Sequence, residues 1–102
     1  MSHYTYLWEF QTSAERRADF ERHYGAEGTW VALFRRADGY LGTTLLRDCT
    51  DPLRFLTIDR WRNSADYDSF RERLRDDYAA LDALCEGLTV SETLLGRFEE
   101  ES

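Results

Sequence analysis

Lysine is missing from this chain: all 13 basic residues are arginine. Chemistry that runs through a lysine Schiff base, pyridoxal phosphate included, is therefore excluded. Cysteine is scarce. Cys49 and Cys85 lie far apart with no CxxC companion, and the only histidines are His3 and His23, too few ligands for a zinc site. No stretch approaches the ~18 apolar residues of a membrane span. The opening MSHYTYLWEF has no basic segment leading into an apolar one, as a secretory signal would. These absences point to a cytoplasmic protein with two free thiols, no membrane association and no metal. Positive charge is also in deficit: 20 acidic residues against 13 basic ones leave a net charge of -7. A phosphate backbone would be repelled, which argues against nucleic acid. Arg16, Arg17, Arg22, Arg35 and Arg36 cluster locally but alternate with acids, the pattern of solvated helix faces.

What the chain does have is aromatic residues, 15% of a 102-residue sequence. A chain of this length forms one domain and buries roughly 65% of its unfolded surface. So heavy an aromatic allotment fits either a core built from large side chains or one with rings to spare for a partner subunit or flat ligand.

The pattern along the chain alternates between periods of two and of 3.6. YTYLWEFQ places Tyr4, Tyr6, Trp8 and Phe10 on one face of a strand. Thr12 and Glu15 have capping-box spacing before a helix carrying Phe20 and Tyr24, which Gly25 ends in the left-handed conformation. Trp30, Leu33 and Phe34 predict a short second helix capped by Thr29. Asp38-Gly39 turns the chain into the strand YLGTTLLRD, and CTDP turns it again into LRFLTIDRW. There Leu53, Phe55, Thr57, Asp59 and Trp61 alternate against Arg54, Leu56, Ile58 and Arg60. Asn63 or Ser64 caps the next helix, whose stripe runs Tyr67, Phe70, Leu74, Tyr78, Leu81. A bend is expected at Asp76-Asp77 and the end at Gly87. LTVSETLLGRF is the last strand, and the acidic EEES tail is expected to fray.

The order predicts an α+β, ferredoxin-like βαββαβ fold: a four-stranded antiparallel sheet with its helices on one face. The other face is left bare. It carries either the Tyr4, Tyr6, Trp8, Phe10 set or Leu7 with its neighbours, and a second copy packing sheet to sheet would cover it.

WEF, FERHYGAEGTW, LFRRADGYLGTTLLRD and LTIDRW followed by SADYDSF resemble, in this order, the antibiotic-biosynthesis-monooxygenase-like domains of the dimeric α/β-barrel superfamily. The resemblance covers about Tyr4 to Phe98. It implies a homodimer whose two sheets close a barrel, with a pocket for a small hydrophobic or aromatic molecule between sheet and helices in each subunit. The superfamily spans cofactor-free oxygenases, haem-degrading enzymes, isomerases and proteins without catalysis, so fold alone does not fix function. In the cofactor-free oxygenases a Trp, a Tyr, an Asn and an Arg surround a polycyclic phenol. Trp61 and Tyr67 match the first two. The Asn position holds Thr57 and the Arg position Leu81, so both polar members are replaced. The haem branch needs a histidine on the second helix, and residues 64–86 contain none.

A cofactor-free monooxygenase must stabilise a substrate anion with donors aimed at it. Asn63, Arg54, Arg60, His23 and Tyr67 are the candidates. His23 and Tyr67 are the candidate catalytic residues, His23 because it titrates near neutrality; its alternative is a solvated place in the last turn of the first helix. Trp61, Trp8, Trp30, Asn63 and Arg54 are the candidate substrate-binding residues. Trp61 carries two compatible readings, a plug packed on Phe70 or a flat wall for a flat ligand. A cofactor-free monooxygenase, an isomerase or lyase, and a binding protein without turnover all stay open from sequence alone.

Overall fold

A computed structural model describes residues 3–101. Strand β1 (Tyr4–Thr12) leads into helices α1 (Arg17–Tyr24) and α2 (Thr29–Phe34). The hairpin β2 (Tyr40–Arg47) and β3 (Arg54–Trp61) follows, then α3 (Ser64–Arg73), α4 (Arg75–Cys85) and β4 (Thr89–Glu99). The sheet is antiparallel throughout in the order β2-β3-β1-β4. This is the expected α+β, ferredoxin-like arrangement, with two helical segments in each crossover.

Register decides which face is which. Tyr6 pairs with Asp59, Trp8 with Thr57 and Phe10 with Phe55, while Thr43 and Leu45 of β2 pair with Asp59 and Thr57. Residues paired across an antiparallel ladder share a face, so these all look toward the helices. There Tyr6, Phe10, Phe55 and Trp61 join Phe20, Tyr24, Trp30, Leu33, Phe34, Phe70, Leu81 and Cys85 in one core. The aromatic set of β1 therefore faces inward, and the bare face carries Leu7, Ile58, Leu56, Leu46 and Phe98.

Four local expectations are corrected. Thr12 caps nothing: it closes β1 and donates its hydroxyl to the Leu88 carbonyl at 2.6 Å, so α1 starts at Arg17 without a side-chain cap. Gly25 does end α1, but in extended backbone (φ -73). Its missing side chain matters because a Cβ there would lie 2.8 Å from the Glu21 carbonyl oxygen. Thr29 is the first residue of α2, with Gly28 at the cap position. The break in the second helical segment falls at Leu74 (φ -108, ψ 28), two residues before Asp76.

Other signals hold. Asn63 caps α3 by accepting from the Asp66 amide at 2.8 Å. Gly39 and Gly87 both adopt left-handed backbone (φ 87 and 91) that other residues resist. The surface arginines pair with nearby acids, Arg17 with Glu21, Arg22 with Asp19, Arg35 with Glu27 and Arg36 with Asp77. The tail, expected to fray, is instead tied at Glu100, whose amide donates to the His3 carbonyl and whose carboxylate accepts from Thr5 and Arg60; Ser102 lies outside the described residues. Both cysteines are free, Cys49 exposed and Cys85 buried. No helix among the described residues is long and apolar enough to cross a membrane.

Candidate functional site

A cavity of about 350 Å³ opens between the inner sheet face and the helices. Its walls are largely aromatic: Tyr6, Trp8 and Phe10 from β1, Tyr24 from α1, Trp30 and Phe34 from α2, Tyr67 from α3 and Tyr78 from α4. A second cavity, of about 510 Å³, shares Tyr24, Asp82 and Glu92 with it.

The polar side chains on the lining are Thr43, Thr57, Asp59, Arg71, Asp82 and Glu92, with the tyrosine hydroxyls. Asp59 reaches the cavity from the inner face of β3 and is buried at 5% exposure. Burial pushes its carboxyl up from 3.8 to about 6, against the opposing hydrogen bond from Thr43. The Thr43 hydroxyl donates to Asp59 Oδ1 at 2.5 Å and contacts the Tyr40 hydroxyl at 2.6 Å. Thr57, one strand position pair away, also lines the cavity and is buried. From α3, Arg71 stands with its guanidinium carbon 3.8 Å from the Tyr78 ring centroid and donates to the Tyr67 hydroxyl at 3.1 Å. Because that oxygen accepts from Arg71, the Tyr67 O–H is free to donate into the cavity. The Trp30 Nε1 is buried with no hydrogen-bond partner among the described residues. Burial also raises the hydroxyls of Tyr6, Tyr24 and Tyr78, the last to about 12, so these phenols stay protonated.

Of the residues singled out from sequence, Trp8, Trp30 and Tyr67 meet around this cavity. Trp61 does not line it. It is wholly buried, 5.1 Å from Phe70 and 5.4 Å from Tyr67 between ring centroids, and its Nε1 donates to the Tyr6 hydroxyl at 3.3 Å. Its reach to the site runs through Tyr6. His23 sits in the last turn of α1 with Nδ1 2.9 Å from the Thr29 hydroxyl, outside the cavity lining. Asn63 is occupied as the α3 cap. Arg54 and Arg60 lie on the opposite sheet face, Arg54 bound to Glu9 and Asp48 and Arg60 to Glu100.

Asp59 and Arg71 were missed as site residues, although each left a trace. A carboxylate in an inward strand position between Thr57 and Trp61 breaks an otherwise uncharged face. Arg71 follows Tyr67 by four residues, the spacing that puts both on one side of a helix.

The sequence model of the antibiotic biosynthesis monooxygenases matches residues 4–80. The chain belongs to that family. No functionally curated protein matches it. Among solved structures of the antibiotic biosynthesis monooxygenase fold, proteins from Deinococcus radiodurans and Bordetella bronchiseptica superpose with TM-scores of 0.72 and 0.71, each at 21% identity. The first alignment covers 97% of this chain and 93% of the other, the second 100% and 98%; both proteins carry the family's name provisionally. SnoaB, a cofactor-independent oxygenase from Streptomyces nogalater, superposes with a TM-score of 0.66 at 20% identity over 100% of this chain and 96% of its own. At such identities the likeness establishes the fold shared with the antibiotic biosynthesis monooxygenases, and the chemistry rests on the cavity.

Proposed function

We propose that this antibiotic biosynthesis monooxygenase family member is a homodimeric, cofactor-independent monooxygenase acting on a small flat aromatic or phenolic molecule. The observation that carries this reading is the aromatic cavity, lined also by Asp59 and by the Arg71–Tyr67 pair. Its size, about 350 Å³, sits near the lower end of the ~300–1,000 Å³ usual for small-molecule sites, which favours a compact fused-ring substrate.

Trp8 and Trp30 offer the flat walls, and Tyr67 with the solvent-exposed Arg71 offers donors for a developing oxyanion where the cavity opens to solvent. A deprotonated phenol or anthrone is electron-rich enough to pass an electron to dioxygen. The balanced outcome for an anthrone is a CH₂ converted to a carbonyl. Two C–H bonds break, one oxygen atom enters the product and the other leaves as water with the two hydrogens. The kinship with SnoaB supports this reaction class without identifying the substrate. Arg71 supplies a cation in the cavity although the family's arginine position holds Leu81, and Thr57 lines the cavity where the family places its asparagine.

Oxygen uptake with a panel of anthrones and hydroquinones tests the proposal. One dioxygen consumed per anthrone oxidised is expected. Turnover under strict anaerobiosis would instead make the protein an isomerase or lyase, and saturable binding without turnover would make it a carrier.

A further inference from the structure

We propose that Asp59 is the proton acceptor of this cavity, so that the site selects flat aromatic ligands bearing a hydroxyl hydrogen over the same rings without one. The inference rests on the cavity being the ligand site, as proposed above, but not on what happens to the ligand afterwards.

The geometry fixes direction. Thr43 has a single hydroxyl hydrogen, and it is spent on Asp59 Oδ1. The contact between Tyr40 and Thr43 must then have Tyr40 as donor, giving a one-way chain from Tyr40 through Thr43 to Asp59. Oδ1 is thereby engaged, while Oδ2 has no hydrogen-bond partner among the described residues. Nor does any arginine or histidine among them form an ion pair with Asp59, unlike Asp48, Asp66 and Asp77. Buried carboxylates ordinarily have such partners. Here the missing donor is one that a ligand hydroxyl brings.

The groups facing Asp59 leave it that role. Tyr6 from β1, Tyr40 from β2 and Tyr78 from α4 are phenols whose burial keeps them neutral. Tyr67 and Arg71 from α3 are tied to each other, and Asp82 from α4 with Glu92 from β4 close the far wall. Proton transfer breaks the ligand O–H bond and forms an O–H bond at Oδ2. The ligand keeps the electron pair as an oxyanion, Asp59 becomes a neutral acid, and the net charge of the site is unchanged. The negative charge moves from a carboxylate without a cation to a ligand oxygen within a cavity that holds Arg71.

The experiment uses 4-nitrophenol, whose ionised form is coloured, together with 1-naphthol and its methyl ether, on the wild type, Asp59→Asn and Thr43→Val. At a pH one unit below the solution pKa of 4-nitrophenol, the wild type is expected to bind it mainly as the coloured anion. It should also bind 1-naphthol at least about tenfold tighter than the ether, as fits the ~10-fold-or-more effect of an unpaired buried acceptor. Asp59→Asn should bind nitrophenol uncoloured and lose most of the naphthol preference. Thr43→Val, which leaves the carboxylate in place but removes the hydrogen bond that opposes its upward shift, should keep the preference and show the anion down to a lower pH, a shift that a purely structural role would not produce. Bound nitrophenol that stays protonated in the wild type, or an ether bound as tightly as naphthol, would overturn the role of Asp59. So would anthrone oxidation undiminished in Asp59→Asn, which would leave the oxygenase reading standing. Ionisation on binding without oxygen uptake from the anthrone panel would uphold Asp59 and overturn the oxygenase. No binding of any of these molecules would overturn both.

Discussion

Asp59 is a residue whose burial costs this fold stability. Its carboxyl holds a proton up to about pH 6 in the folded protein against 3.8 for a free side chain. The folded state therefore binds that proton more tightly than the unfolded one. Stability falls as pH rises from about 4 to about 6, and the full cost, about 3 kcal/mol from two units at 1.36 kcal/mol each, is present above that. Asp59→Asn is expected to raise stability at pH 7 by ~1–3 kcal/mol and to change it little at pH 4, which urea unfolding at both pH values would check. Equal effects at the two would mean that burial of the charge is not the cause. Trp61 is the opposite case. With 0% exposure and its indole donating to Tyr6, it holds the pocket wall from behind. Trp61→Phe should cost ~1–3 kcal/mol by leaving space and an unpaired Tyr6 oxygen. Fluorescence quenching by a bound aromatic ligand should survive in that variant and weaken in Trp8→Phe. The sequence made Trp8, Trp30 and Tyr67 readable as candidates because large aromatics on periodic faces are conspicuous. It left Asp59 and Arg71 unread for a physical reason. A charged residue looks the same in sequence whether it faces water or a cavity, and only the pairing register and helix phase tell them apart.

At the scale of elements the dependable signals were strand alternation and, of the caps expected, Asn63 and Gly87 rather than Thr12 and Thr29. They record interactions between near neighbours that the fold does not rearrange, as with β1, β3 and the Asn63 cap. Thr12 fails as a cap because a distant partner, the Leu88 carbonyl, takes its hydroxyl. The break at Leu74 is likewise invisible locally, since leucine carries no helix-breaking tendency. The start of α3 has functional weight, because this helix delivers both Tyr67 and Arg71. Its first turn is held by Asn63 on the Asp66 amide and by Arg62 on the Asp66 carboxylate at 2.7 Å, while the Arg62 amide donates to the Gly39 carbonyl at 2.6 Å. Asn63→Ala is expected to lower stability by ~1 kcal/mol, the usual value of such a cap. It should also weaken 1-naphthol binding a few-fold by loosening the Tyr67–Arg71 pair. Thermal unfolding and titration of the same variant would check both; full affinity alongside the stability loss would separate the cap from the site.

For the whole molecule, the outer sheet face is what the single chain leaves unfinished. Leu7 and Ile58 are paired across β1 and β3, Leu46 and Leu56 across β2 and β3, and Phe98 lies beyond Leu7 on β4. Leu46 and Phe98 are 44% and 50% exposed. Charged residues on this face are already neutralised within the chain, Arg54 by Glu9 and Asp48, Arg60 by Glu100. They form a paired rim around an apolar centre, the arrangement of a protein interface rather than of a solvated sheet. A second copy presents the same face, so sheet-to-sheet packing about a two-fold axis matches apolar centre to apolar centre. An interface of about 2,000 Å² or more would persist at micromolar concentration. Light scattering is therefore expected to give roughly twice the 12.1 kDa chain mass. Ile58→Arg puts an unpaired charge at the centre of that face, facing its symmetry mate, where the desolvation cost is largest. It should halve the mass while leaving the inner cavity, on the other side of the sheet, able to bind 1-naphthol. A wild type that scatters as 12.1 kDa would remove the dimer, and an Ile58→Arg variant that stays at twice that mass would move the interface off this face.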